Sequence, residues 1–261
     1  GRTTETVKGN ADALDAHLSD YVTFLTGYAD KFPNNAGAHN SIYRGKYLGS
    51  SVTSAQYAAI SAGTFDDLYI GDYWTINGTD YLIAAFNYYY NTGDAALTQN
   101  HVTLIPRTNL YTHVMNETDT TEGGYMGSKM YTEGLEQAKT KIKADFNGHV
   151  VNHRKYLCNA VTDGAAIGGA WSNSEVDLMN EVMVYGSVVN GYATYGSYNI
   201  GIEKSQLPLF ALNPQSANIR AIYWLRDVCS ASYFAAVTDH GNAYHFYASY
   251  AFGVRPAFSI S

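Results

Sequence analysis

Residues 223–258, YWLRDVCSASYFAAVTDHGNAYHFYASYAFGVRPAF, form an aromatic and polar segment built from few residue types. Between Asp227 and Phe252 the segment contains no Lys, Arg, Glu, Gln, Met, Trp, Leu, Ile or Pro. Tyrosine provides a large amphipathic contact area at low entropic cost, and Ser, Asn and Gly provide adaptable hydrogen bonds. The composition is therefore typical of a binding surface.

Four consecutive rings, Tyr244, His245, Phe246 and Tyr247, lie inside this segment. Because the side chains of a strand alternate between two faces, a half-buried strand must place some of these rings on its exposed face. The alternative is an aromatic-rich inner strand that is buried on both faces. Composition alone does not decide between the two.

Two short motifs bracket the segment, Tyr223-Trp224-Leu225-Arg226 at its start and Gly253-Val254-Arg255-Pro256-Ala257-Phe258 at its end. Together with the interval between them, they resemble the variable proteins of diversity-generating retroelements. The stretches IYRGKYLGSSVT, LYIGDYWTING, GGYMGSKMYTEGL, SEVDLMNEVMVYGS and EKSQLPLF resemble phage structural proteins of gut bacteria that carry this module. The resemblance covers most of the chain from residue 42 onward.

The resemblance implies how the segment arises. In that family, error-prone reverse transcription rewrites the last segment, mostly at Asn codons that cannot yield Lys, Glu, Gln, Met or Trp. None of these five residue types occurs between residues 227 and 252, which fits the rule. The family therefore predicts a variable region at residues 223–258.

The resemblance also implies a fold and a function. It implies an α+β fold, a C-type-lectin-like domain over residues 42–261 with two helices and a short antiparallel sheet. It implies a bacteriophage virion protein that faces the host and binds a host cell-surface protein or glycan. The expected ligand-facing residues, all in the variable region, are Cys229, Tyr233, Asp239, His240, Tyr244, His245, Phe246, Tyr247, Tyr250 and Phe252.

Two other functions are weighed against host binding. A capsid or tail decoration protein would use the same face as an assembly interface. An enzyme is the third hypothesis, because the fold family includes formylglycine-generating enzymes, which need a cooperating cysteine pair. This chain has Cys229 alone in the relevant region, with Cys158 far upstream, so we expect no enzymatic activity and two free thiols.

Composition and charge argue against several kinds of partner. The net charge is −7, whereas nucleic-acid binding needs clustered Lys and Arg, so we expect no nucleic-acid partner. The apolar runs are too short for membrane insertion. His149 and His153 are four residues apart, but they lack the Glu of a zinc protease and a third ligand. We expect neither a metal nor another cofactor.

The spacing of apolar residues over residues 3–32 predicts one helix. Val7, Ala11, Leu14, Leu18, Tyr21, Leu25, Tyr28 and Phe32 alternate spacings of four and three, which is the heptad pattern of a coiled coil. We therefore expect residues 1–33 to be an oligomerisation segment of a homotrimer. The alternative is an amphipathic helix that packs on its own domain.

Local patterns predict the remaining elements. Thr53 and Gln56 form a capping box for a helix that ends near Gly63, and Asn77-Gly78 predicts a hairpin between strands 68–76 and 79–86. Further helices are expected at 135–146 and 174–185, the latter capped by Asn173 or Ser174, and a helical turn at 110–115. Strands are expected at 102–106, 156–161, 222–225, 234–237, 244–247 and 254–260, and exposed loops at 91–100 and 186–201.

Arg226 and Arg255 recur in the two bracketing motifs. They could contact a ligand, but we favour a structural role in which each guanidinium binds backbone carbonyls or carboxylates at the ends of the variable loops. Trp224, Phe234, Val237 and Phe258 are predicted to lie in the core.

Overall fold

The computed structural model of the protein describes residues 7–29, 34–191, 203 and 205–261. The fold is α+β, and most of its regular structure lies in sheets. The helices are α1 (Val7–Ala29), α2 (Ala36–His39), α3 (Ser54–Ala62), α4 (Glu136–Asp145), α5 (Glu181–Tyr185) and α6 (Pro208–Leu212). A π-helical turn, Met130–Gly134, leads into α4, and a 3-10 turn, Pro214–Ala217, follows α6.

The described strands are β1 (Tyr47–Gly49), β2 (Tyr73–Ile76), β3 (Thr79–Phe86), β4 (Val102–Pro106), β5 (Tyr111–Val114), β6 (His153–Thr162), β7 (Ala165–Ser174), β8 (Val176–Leu178), β9 (Tyr223–Val228), β10 (Tyr233–Val237), β11 (Ala243–Tyr247), β12 (Ala251–Val254) and β13 (Pro256–Ile260). They form a six-stranded sheet in the order β1-β2-β3-β4-β13-β8, a five-stranded sheet in the order β11-β10-β9-β12-β5, and the hairpin β6-β7. The pairs β1/β2 and β9/β12 are parallel, and the other pairs are antiparallel. The sheets are thus larger than the short antiparallel sheet that we expected. The described residues also form more helical segments than the two expected for the domain.

Strands β9 and β10 of the five-stranded sheet are buried on both faces. On one face of β9 and β10, Tyr223, Leu225, Ala235 and Val237 pack into the larger core with β3, β4 and β13. On the other face, residues that include Trp224 pack into a second core with Met115, Tyr125, Met130 and Leu157. Trp224, Phe234, Val237 and Phe258 are each fully buried, so their assignment to the core is confirmed.

Several local predictions are confirmed. Helix α3 begins after Thr53, whose hydroxyl accepts from Gln56 N while the Gln56 side chain accepts from Thr53 N, and it ends at Gly63 in the left-handed conformation. Asn77 and Gly78, with φ of 46° and 78°, form the turn between β2 and β3. Strand β4 has the predicted bounds, and α4 covers residues of the predicted helix 135–146.

Two helix predictions are wrong. Residues 111–114 form strand β5, which pairs with β12, rather than a helical turn. The predicted helix 174–185 is instead strand β8, paired with β13, followed by the short helix α5. Asn180 caps α5 by accepting from Met183 N at 2.7 Å, so neither Asn173 nor Ser174 is the cap. In both segments the backbone hydrogen bonds offered by a neighbouring strand outweigh the local helical spacing.

The bounds of two other strands differ from the predicted ones. The predicted strand 68–76 is regular only from Tyr73, and the predicted strand 156–161 begins earlier, at His153. Residues 192–202, most of the predicted loop 186–201, lie outside the described residues.

Helix α1 lies within the predicted helix 3–32. Its side chains from Lys8 to Phe24 are all exposed, including Leu14, Leu18 and Tyr21 of the heptad pattern, which are 68%, 59% and 60% exposed. Over these residues the helix therefore does not bury its apolar stripe on its own chain. No helix within the described residues is both long and apolar enough to cross a bilayer.

Candidate ligand-binding site

The hairpin of β10 and β11 forms one edge of the five-stranded sheet, with β11 outermost. Its register pairs Tyr233 with Tyr247 and Ala235 with His245, so these four side chains share one face of the hairpin. The opposite face carries Phe234, which is paired with Phe246. Because β11 has a neighbouring strand on one side only, its rings reach the surface even where β10 is buried.

Six rings at this hairpin surround a shallow cavity of about 230 Å³. We call this surface the aromatic edge; it consists of Tyr233, Tyr244, His245, Phe246, Tyr247 and Tyr250. Tyr244 and Tyr250 are about half exposed, and Tyr247 is 38% exposed. The ring centroids of Tyr233 and Tyr247 are 4.5 Å apart, and those of Tyr247 and Tyr250 are 5.7 Å apart. The edge is thus a continuous set of packed rings with tyrosine at its surface.

A partly buried row of rings supports the aromatic edge. Phe246 packs on Phe252 with centroids 4.7 Å apart, and Phe252 packs on Trp224 at 5.2 Å. The Trp224 Nε1–H donates to the His113 carbonyl at 2.9 Å, which fixes the indole. Both interpretations of the aromatic run therefore apply, because Phe246 and Phe252 are partly buried core residues while the tyrosines face outward.

The turn after β11 is held by an acidic side chain. Asp119 Oδ1 accepts from Ser249 Oγ at 2.6 Å and from Ser249 N at 3.2 Å. Tyr250, the next residue, therefore projects from a fixed turn rather than from a loose loop.

One polar atom at the aromatic edge has no hydrogen-bond partner. His245 Nδ1 is buried and makes no hydrogen bond within the described residues. The ring centroid of His245 lies 5.0 Å from those of Tyr233 and Tyr244. The rings of His245 and Tyr244 are stacked, with an angle of 4° between their planes. The unpaired nitrogen is therefore a local cost in stability at this edge.

No family model, curated protein sequence or solved structure matches the chain. The geometry of the site is therefore the basis for interpreting what it does.

The other expected ligand-facing residues lie apart from the aromatic edge. Asp239 and His240 form an exposed pair in which Oδ1 of Asp239 lies 2.7 Å from Nδ1 of His240. The pair lies in the turn at the opposite end of the hairpin from Tyr233. Tyr244, which pairs with Ala236, is the ring of the aromatic edge nearer to this turn, but neither Asp239 nor His240 lines the cavity there. Cys229 is partly buried, and burial, with the nearby charge of Asp227, raises the pKa of its thiol. Cys158 is buried, and both cysteines are free thiols, as expected.

The two bracketing arginines are buried and bind backbone carbonyls. Arg226 Nη1 donates to the Leu178 carbonyl at 2.7 Å, and its Nη2 donates to the carboxylate of Glu203. Arg255 donates to the carbonyls of Pro106 and Ser216 at 2.9 Å and 3.0 Å. These contacts are those of the structural role that we favoured.

A buried charged cluster connects Arg226 to three other elements, and the sequence did not reveal it. Lys155 on β6 lies 3.2 Å from Glu203 Oε1 and 3.7 Å from Asp177 Oδ2 on β8, and all of these side chains are at most 8% exposed. Burial alone would raise the pKa of Glu203, but the charges of Arg226 and Lys155 outweigh it and lower the pKa to about 2. The four residues come from four separate segments, so no spacing rule could group them.

Glu181 holds the start of the segment that follows α5. Its carboxylate accepts from the backbone N–H groups of Val189, Asn190 and Gly191 at 2.8 to 3.0 Å. Burial and the neighbouring charge of Glu181 raise the pKa of Asp227 to about 7, and Asp227 Oδ2 accepts from Glu181 N. The end of β9 and this segment are therefore linked through two acidic side chains.

The two histidines considered for a metal do not form a site together. His149 stacks on Tyr57 and its Nδ1 contacts the Ser261 carbonyl at 2.7 Å, while His153 lies on β6 against Tyr89. In the part of the chain that the structure describes, no group of three or more His, Cys, Asp or Glu is arranged to hold a metal ion.

Proposed function

We propose that this protein is a bacteriophage virion protein that binds a host cell-surface protein or glycan through the aromatic edge. The observation that carries the proposal is the exposure of Tyr244, Tyr247 and Tyr250 above the partly buried Phe246 and Phe252. Tyrosines on a rigid support provide contact area without a large cost in conformational entropy. Clustered surface rings of this kind serve recognition more often than folding.

The proposal includes a C-type-lectin-like fold and a variable region at residues 223–258. The support for it is the placement of the segment, because β9 at its start and residues 253–258 at its end are buried while β11 in its middle reaches the surface. A segment with buried ends and an exposed middle tolerates substitutions at the middle without loss of the fold. We propose no enzymatic activity.

The proposal also includes a homotrimer formed by α1. A newly diversified site binds weakly. Several linked copies bind one surface more tightly, because binding of one copy raises the effective concentration of the others at that surface. The alternative, a decoration protein, would use the aromatic edge to bind other virion proteins.

The test replaces exposed rings and keeps the supporting ones. The variant Tyr244→Ser/Tyr247→Ser should bind envelope fractions of host bacteria at least about 10-fold more weakly, because central tyrosines of an interface contribute most of its binding energy. The matched control is Tyr47→Ser/Tyr90→Ser, two tyrosines of similar exposure outside the aromatic edge, which should bind as the unmodified protein does. Binding is measured by surface plasmon resonance, and circular dichroism verifies folding.

The outcomes separate host binding from assembly. Capture of envelope material that the first variant loses and the control keeps supports host binding. Capture of phage structural proteins without envelope material would indicate a decoration protein instead.

The retroelement origin is tested on the DNA. We expect a near-copy of the gene segment for residues 223–258 beside a reverse transcriptase gene, with differences confined to template adenines. Those differences would mark each diversified position. The absence of such a copy would leave a fixed binding protein without a variable region.

A further inference from the structure

A second cavity, of about 360 Å³, shares no lining residue with the aromatic edge. Three of its eleven lining residues, Arg107, Arg220 and Arg255, are charged, and all three are arginines. The formal net charge of the chain is −7. The charge of this cavity is therefore opposite in sign to that of the chain, because its charged side chains are all positive. The remaining lining includes the polar residues Thr108, Asn213, Gln215, Ser216 and Asn218.

Arg255 is a buried cation without a carboxylate partner. It is 1% exposed, and its two hydrogen bonds within the described residues go to the carbonyls of Pro106 and Ser216. Its guanidinium carbon lies 5.0 Å from the ring centroid of Tyr223. Burial lowers the pKa of Arg255, and the charge of Arg107 lowers it further. A buried charge that lacks a counterion is costly, and an anion in the cavity would reduce that cost.

Arg220 is exposed and forms no ion pair within the described residues. Its φ is 56°, in the left-handed region that non-glycine residues rarely adopt. Its backbone N–H donates to Asn218 Oδ1 at 3.1 Å, which helps to hold this conformation. The backbone of Arg220 is therefore fixed beside the cavity.

Arg107 is held in place by its neighbours. Its Nε donates to Asp80 Oδ2 at 2.9 Å, and its guanidinium carbon lies 4.4 Å from the ring centroid of Tyr73. Asp80 offsets one of the three positive charges and does not line the cavity. Two guanidinium charges therefore have no carboxylate partner among the described residues.

We propose that this cavity binds the carboxylate or phosphate group of a small, hydroxyl-rich molecule such as an acidic sugar. Guanidinium groups present paired N–H donors that match the oxygens of carboxylates and phosphates. The amide and hydroxyl side chains of Asn213, Asn218 and Thr108 are suited to sugar hydroxyls. The volume lies in the range of pockets for small molecules. The site is independent of the aromatic edge and of the function proposed for it.

The test uses four probes: glucose 6-phosphate, glucuronate, inorganic phosphate and glucose. In isothermal titration calorimetry we expect saturable binding of one or both acidic sugars, with inorganic phosphate weaker and glucose not bound. The stronger of the two acidic sugars identifies phosphate or carboxylate as the preferred group. Arg107→Gln/Arg220→Gln should weaken binding about 10-fold or more, because hydrogen bonds to charged groups are lost.

The control removes one positive charge elsewhere. Arg154 lies on β6, outside the cavity, and pairs with Asp94 at 2.8 Å, so Arg154→Gln should bind the probes as the unmodified protein does. Arg220→Gln alone, which carries the same charge change, should weaken binding.

Three results would overturn the proposal: no saturable binding of any anion up to about 10 mM, binding of glucose as tight as that of the acidic sugars, or equal binding by Arg154→Gln and Arg220→Gln. Envelope binding at the aromatic edge should be unchanged in Arg220→Gln, so failure of either proposal is recognised separately.

Discussion

His153 is a buried residue whose two ring nitrogens have no hydrogen-bond partner within the described residues. The ring lies 4.0 Å from Tyr89, and the groups whose charges act on it are Lys155, Glu203 and His101. Burial, assisted by the charge of Lys155, lowers the pKa of His153 from 6.5 to about 3. A neutral, unpaired imidazole in this position costs stability, and its cost depends on pH.

The sign of this dependence follows from the lowered pKa. Between pH 6.5 and about pH 3 the unfolded chain binds a proton at this residue that the folded protein does not. The free-energy penalty for keeping His153 neutral is therefore absent above pH 6.5 and grows as the pH falls.

We predict that His153→Phe reduces the pH dependence of stability. Between about pH 6.5 and about pH 4.5, the slope of unfolding free energy against pH should fall by up to about 1.4 kcal/mol per pH unit, which corresponds to one proton. Urea unfolding from about pH 7.5 to about pH 4.5 measures it, and the difference at the highest pH reports packing alone.

Among the described residues, other buried groups also change their proton balance in this range, and the variant keeps them. Burial lowers the pKa of His101 to about 4, which acts in the same direction as His153. The raised pKa of Asp227 acts in the opposite direction, because its contribution is present at low pH and is lost as the pH rises through about 7. A variant slope equal to that of the unmodified protein would show that His153 does not titrate as its burial requires.

At the scale of single elements, the β2–β3 hairpin depends on its turn. Asn77 and Gly78 both have positive φ, as the type I′ turn requires, and that turn matches the twist of the paired strands. A Cβ atom on Gly78 would meet no atom within 4 Å. Any effect of adding one is therefore conformational and not steric.

We predict that Gly78→Ala destabilises the protein by about 1 kcal/mol or more, because the left-handed region is unfavourable for a residue with Cβ. The control is Gly168→Ala on β7, where φ is not in that region and the new Cβ would lie 3.7 Å from Ala160 Cβ. The control should be neutral or stabilising. Thermal unfolding measures both variants, and similar losses in the two would contradict a conformational cause.

The aromatic edge shows how an element divides its side chains between support and surface. Phe246 contacts Phe252, and Tyr244 and Tyr247 on the same strand are exposed. Alternation along a strand did not predict this division, because Tyr244 and Phe246 lie on the same face of β11. The position of β11 at the edge of the sheet allows rings on either face to reach the surface.

Helix α1 exposes its apolar side chains from Lys8 to Phe24 to solvent. Leu14, Leu18 and Tyr21 follow the heptad spacing and are more than half exposed. An isolated helix of this length is marginally stable in water, and apolar residues at a and d positions are stabilised by association. These facts support the proposed trimer.

We predict that the unmodified protein sediments as a trimer and that Leu14→Asp/Leu18→Asp sediments as a monomer, since buried carboxylates are costly. The control, Ala16→Asp/Thr23→Asp, adds the same charge at exposed positions that the heptad places on the outer side of the helix, and it should remain trimeric. Analytical ultracentrifugation distinguishes the species. If the unmodified protein were monomeric at all concentrations, the proposal that α1 forms a coiled coil would be contradicted.

The local features of this protein are encoded in short stretches of its sequence. The capping box of α3, the Asn77-Gly78 turn and the buried positions of Trp224 and Phe258 depend on contacts between near neighbours or on strong apolar character. Such signals act over a few residues, so they are visible in a short window.

The other features arise from contacts between segments that are far apart in the chain. Strands β5 and β8 exist because β12 and β13, more than 70 residues away in the chain, pair with them. The buried cluster of Lys155, Asp177 and Glu203 and the arginine-lined cavity likewise join segments that are distant in sequence. Hydrogen bonds and charge pairs between distant segments leave no periodic pattern, because each partner is chosen by the fold and not by its neighbours in the chain.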